Sequence, residues 1–153
     1  MNLDWQKRLE NAVQAERAEA LKTSQQITLG ELILKLESVA DKNLPVVFDD
    51  SRYHPTGIES WRGSYAELAI EYAEDGEKLS VDGLLQLLKK AVGSTFFGYK
   101  GGEFLMGRRT PVWVANYGKS HGFLQDEDVD TQAVIDVLQD GQNVIIETRL
   151  FEY

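Results

Sequence analysis

A chain of 153 residues, 42% apolar and 27% charged, is long enough to bury one real core and too apolar to be disordered throughout. Cysteine is absent, which excludes disulfides, thiolate metal sites and a cysteine nucleophile. The net charge of −9 lacks the broad basic surface that general nucleic-acid binding needs. No apolar run could span a bilayer, and the charged start has no signal-peptide core, so the expectation is a cytoplasmic protein away from membranes.

The chain opens with Trp5, Leu9, Ala12, Val13, Ala20 and Leu21 at roughly helical spacing. This predicts a helical arm over residues 1–22 with a thin apolar stripe. It suits weak packing on the body or on a partner, including a second copy of the chain in a homo-oligomer, with Trp5 as the partner-contact residue. After the polar break "KTSQQ", the stretch "TLGELILKLE" places Glu31 three residues after Thr28, the reciprocal cap of a helix start. "LPVVFDD" reads as a buried strand over 45–49. Residues 50–64 carry proline, glycine and many polar groups and read as a long loop, in which Trp61 and Arg62 are recognition-type side chains. A wrapped loop with aromatic plugs would need the same residues. "SYAELAIEYA" alternates apolar residues with Glu67 and Glu71, a strand with one wet face.

"LSVDGLLQLLKKAVG" repeats the helical design, with Ser80 as cap, Asp82 in the first turn, and Lys89 and Lys90 in the last. "TFFGYKGGEFLM" reads as strand, glycine turn, strand, "TPVWVANYG" as a strand, and "AVIDVLQDGQNVIIETRLF" as a hairpin around its "DGQN" turn. The fold expected is a single α+β domain over 27–153. Its sheet would be largely antiparallel and covered by two amphipathic helices at about 28–38 and 80–92, beside the N-terminal arm. The two helix starts, each followed later by "LPVVF" or "TPVWV", suggest a degenerate repeat of 27–72 in 79–117. Generic amphipathic patterning would look similar.

Residues 94–122 form a basic and aromatic island, with Glu103 against Lys100, Arg108, Arg109 and Lys119. Arg62, Lys100, Arg108 and Arg109 could hold an anionic, nucleotide-like small molecule while Tyr99 or Trp113 stacks on it. The glycines of "GYKGGEF" would then let backbone N–H groups approach the anion. The competing reading is a hairpin turn with core aromatics. Asp126, Glu127 and Asp128 lie in the acidic run "DEDVD", which either docks on a basic partner or stays solvated. Asp49, Asp50 and His54 fall close enough in sequence to suggest a metal, although the same residues make an ordinary turn. No hydrolase, metalloprotease or phosphate-loop motif is present, so no cofactor is expected and catalysis is the weakest of the readings.

"TLGELILKLE", "LPVVFDD", the Trp61-Arg62-Gly63 step and "GYKGGEFLMGRRTPVWVANYG" together resemble small accessory proteins of tailed phages and prophages, over residues 27–122. The resemblance brings no catalytic residues with it. It implies binding to a host protein, such as a defence protein, or to a host signalling molecule.

Overall fold

The computed structural model describes residues 25–60, 68–97, 103–115 and 131–151. Helix α1 spans Leu29–Glu37 and begins with the cap that its sequence specifies. The Thr28 hydroxyl accepts the Glu31 N–H, and the Glu31 carboxylate accepts the Thr28 N–H. Leu29, Leu32, Ile33 and Leu36 fall on one face and are buried. Helix α2 spans Val81–Ala91; Ser80 accepts the Gly83 N–H, and Leu84, Leu85 and Leu88 are buried. Each such leucine contributes roughly 1.5–3 kcal/mol, so these two faces hold much of the fold together.

The strands are β1 (Val46–Phe48), β2 (His54–Ser60), β3 (Leu68–Ala73), β4 (Thr95–Phe97), β5 (Glu103–Leu105), β6 (Val112–Val114), β7 (Thr131–Gln139) and β8 (Val144–Phe151). Six of them form one sheet in the order β1-β8-β7-β6-β3-β2, while β4 and β5 pair separately. The outer strands of the six approach each other, and the Phe48 N–H donates to the Tyr53 carbonyl at 3.0 Å, so the sheet is curled and nearly closed. Leucines of both helices share one core with Phe48, Leu68, Ile70, Val112 and Ile146 from its inner face.

Two expectations are corrected here. The sheet is mixed rather than largely antiparallel, because β1 runs parallel to β8 and β3 parallel to β6. A helix between β3 and β6 carries the chain back to the same end, which is what a parallel pair requires. The stretch expected to be a loop over 50–64 contains β2. Its Pro55 and Gly57 flank a bulge in the pairing with β3, the kind of place where a strand accepts both residues. The expected N-terminal arm lies outside the described residues.

The two halves of the chain are tied by matching hydrogen bonds. Val81 N–H donates to the Leu44 carbonyl (3.0 Å) as Leu29 N–H does to that of Thr110 (2.7 Å). Asp82 N–H donates to Lys42 (3.0 Å) as Gly30 N–H does to Arg108 (2.9 Å). Val144 N–H reaches Pro45 (2.9 Å) as Leu68 N–H reaches Pro111 (3.0 Å). The hairpins β2–β3 and β7–β8 carry bulges at corresponding places, after Pro55 and after Val134. Residues 27–73 and 79–151 therefore share one hydrogen-bond plan. The second unit runs past residue 117, because its second and third strands are β7 and β8.

Candidate functional site

The units differ most where a helix leads into the next strand. In the first unit residues 38–45 make the connection, and the Lys42 ammonium donates to the carbonyls of Glu37 and Val39, satisfying the end of α1. In the second unit residues 92–111 make it, and the strand pair β4–β5 is inserted there. Gly93, at φ +81°, closes α2 and donates its N–H to the Met106 carbonyl at 2.8 Å. Met106 donates back to Ser94 at 3.0 Å, and its side chain is fully buried, so the base of the hairpin is clamped to the core.

A tight turn follows. Thr110 N–H donates to the Gly107 carbonyl at 3.1 Å, and Gly107 N–H donates to the buried Thr110 hydroxyl at 2.9 Å. The turn then docks on the first residues of α1 through the bonds to Leu29 and Gly30. A Cβ at Gly30 would stand 3.0 Å from both the Cβ and the carbonyl oxygen of Arg108. Glycine is what lets the two backbones meet so closely. Arg108 and Arg109 thus project from a backbone held by several bonds, and both side chains are exposed. Among the described residues no acid pairs with either guanidinium. Leu105, three residues before Arg108, is 60% exposed. Two planar guanidinium groups on a fixed turn can take a carboxylate or a phosphate in bidentate fashion.

Of the other anticipated site residues, Trp113 is only 7% exposed. It packs with Ala69, Ala115 and Ala133 on the opposite face of the sheet from the main core. The structure does not bring its ring to the surface beside Arg108 and Arg109. Arg62, Tyr99 and Lys100 lie outside the described residues, as do Trp5, Trp61, Asp126, Glu127 and Asp128. Of "GYKGGEF", residues 98–102 lie outside the described residues. Phe97 pairs with Glu103 and Phe96 with Phe104, so residues 98–102 join two antiparallel strands.

Asp49, Asp50 and His54 each have another task. The Asp49 carboxylate accepts the Thr148 N–H (2.8 Å) and hydroxyl (2.9 Å), extending the parallel β1–β8 contact. Asp50 is paired with Arg52 at 2.7 Å, and that hydrogen bond holds its carboxyl below the usual carboxylate value. His54 is 1% exposed, with Nε2 3.0 Å from the Asp75 carbonyl, where it donates to tie the end of β3 to β2. Among the described residues there is no group of three or more histidines and acids placed to hold a metal ion.

Sequence reasoning missed a polar cluster at the end of the second unit. Gln132 is fully buried and donates to the Thr148 hydroxyl at 2.7 Å, which in turn donates to Asp49. Nearby, Gln25 holds φ +67° and accepts a bond from the Arg149 guanidinium at 3.1 Å. The register makes Tyr53 and Tyr72 the counterparts of Gln132 and Thr148, and these two rings meet edge to face at 5.6 Å. Nothing local marks Gln132 or Thr148, since only the strand pairing sets them side by side. A match to this chain is found among neither protein-family models, nor curated proteins, nor solved structures.

Proposed function

We propose that this chain is a non-catalytic binding protein of the phage-accessory kind, acting in the host cytoplasm by binding and inhibiting a host protein. The observation that carries this reading is the insertion in the second unit. It adds an exposed leucine and two arginines that no acid among the described residues pairs, whereas the matching connection of the first unit, residues 38–45, has no arginine and no exposed leucine. Arginine and large apolar groups held on a rigid support are common at protein contacts. The experiment is native mass spectrometry of the full chain mixed with host extract, in which a stoichiometric protein adduct is expected. A nucleotide adduct alone, lost in a Lys100→Ala, Arg108→Ala double variant, would overturn it.

That second outcome belongs to the alternative reading, a binder of an anionic nucleotide-like ligand. The same two guanidinium groups favour it, since they suit phosphate as well as carboxylate. The burial of Trp113 against Ala69, Ala115 and Ala133 weighs against it, because that ring was one of two offered to stack on a base.

A further inference from the structure

We infer that Leu105, Arg108 and Arg109 form a contact surface for an acidic protein segment that carries an apolar side chain beside its carboxylates. The inference rests on the protein-binding reading above and names the chemistry of the partner.

The comparison of units is the first support. Arg108 and Lys42 occupy matching places, since each gives its carbonyl to the second residue of the opposite helix. Lys42 also spends its ammonium on two carbonyls at the end of α1. Arg108 has no such duty, because Gly93 and Met106 close the end of α2 instead. Its backbone is structural, and no acid among the described residues pairs with its guanidinium. Arg109, next to it, is in the same position.

Charge and polarity supply the second support. The chain carries −9, so an acidic partner is repelled at long range and can be held only where local cations face it. Arg108 and Arg109 are such a place, and arginine binds carboxylates in a fixed fork. Leu105, three residues before Arg108 in the chain, keeps 60% of its surface in water and is one of three exposed large apolar residues among those described. A bare inorganic anion would make no use of it. A second copy of this chain is a poorer occupant, because a whole second body of −9 is repelled, whereas a short acidic segment brings only a few charges to the turn.

The test uses the full chain and a labelled peptide of alternating Asp-Glu-Leu triplets, followed by fluorescence anisotropy at low and moderate salt. Saturable binding that weakens with salt is expected, and Arg108→Glu with Arg109→Glu should weaken it about tenfold or more. Leu105→Ser should weaken it by a smaller factor, and all of these exposed positions should leave the melting curve unchanged. Equal affinity in wild type and the double charge reversal would overturn the surface. So would displacement of the peptide by millimolar inorganic phosphate without loss in Leu105→Ser, which would assign the turn to a free anion. Self-association in sedimentation, abolished by the charge reversal, would assign it to a second copy. A host-protein adduct that survives the charge reversal would leave the binding reading standing and remove only this surface. Peptide binding without any host-protein adduct would do the opposite.

Discussion

The first unit (27–73) and the second (79–151) solve the same problem with different side chains. At one end of the sheet the first places Tyr53 against Tyr72, ring edge to ring face. The second places Gln132 against Thr148 and links them to Asp49 through hydrogen bonds. Both arrangements sit on the same register and beside the same bulge. Backbone pairing therefore sets the frame, and side chains fill it either by ring contact or by a chain of hydrogen bonds. The freedom left over lies in the connections, where the second unit inserts β4–β5 and Arg108 has no acid partner among the described residues.

The sharpest way to break this equivalence is in the helices. Leu36 and Leu88 hold matching places on α1 and α2, and both are fully buried. Leu36→Ala and Leu88→Ala should each cost about 2–5 kcal/mol, read as a shift of the denaturant midpoint. If one substitution is silent, that helix face is not part of the shared core.

A smaller effect should separate the two ends of the sheet. Thr148→Val removes the hydroxyl that accepts from the buried Gln132 amide and donates to Asp49. Losing this bond to a buried amide costs about 1 kcal/mol or somewhat more. A double variant, Thr148→Val with Gln132→Leu, should recover part of that loss, since both ends of the bond are then apolar. No recovery would mean that the pair does not act as a unit.

The docked turn offers a contrast at Gly30 and Asp82, which donate matching backbone bonds. Asp82 carries a side chain without difficulty, whereas a Cβ at Gly30 would press on Arg108 at 3.0 Å. Gly30→Ala should gain about 1 kcal/mol in helix propensity and lose about 1–3 kcal/mol to overpacking. A net fall in melting temperature is expected, whereas a rise would show that the turn is free to shift.

The smallest difference is one of pH. Glu59 on β2 has its carboxyl pushed above the ordinary value, first by burial and then by the nearby charge of Glu71, although more than a third of the residue remains exposed. Its counterpart on β7 is Leu138, which cannot titrate. A raised carboxyl favours the protonated form in the fold, so stability should fall as pH rises from 4.5 through the folded value. Glu59→Gln should flatten that part of the stability–pH curve. An unaltered curve would show that Glu59 is not its source.

What the sequence determined by itself was local. Thr28 with Glu31, Ser80 with its first turn, and the leucine spacing of both helices are set by neighbours within four residues, where hydrogen-bond geometry leaves few choices. The "DGQN" hairpin belongs with them, with Gly141 at φ +92° taking the conformation that other residues avoid. So do the strands on either side of residues 98–102. What only the tertiary structure decided was partnership. "VVF" and "VWV" are buried along their whole length, a pattern that suits a parallel pairing, but three residues are too few to say which strand is the neighbour. "HPTGIES" looked like a loop because its proline and glycine weaken a strand. It becomes one only because β3 pairs with it around a bulge. The site followed the same division. The sequence marked Arg108 and Arg109 as cations in an acidic chain, and it offered Trp113 as their aromatic companion. The sheet turned that ring to its other face, since side chains along a strand point alternately to opposite sides and Val112 and Val114 had already taken the core.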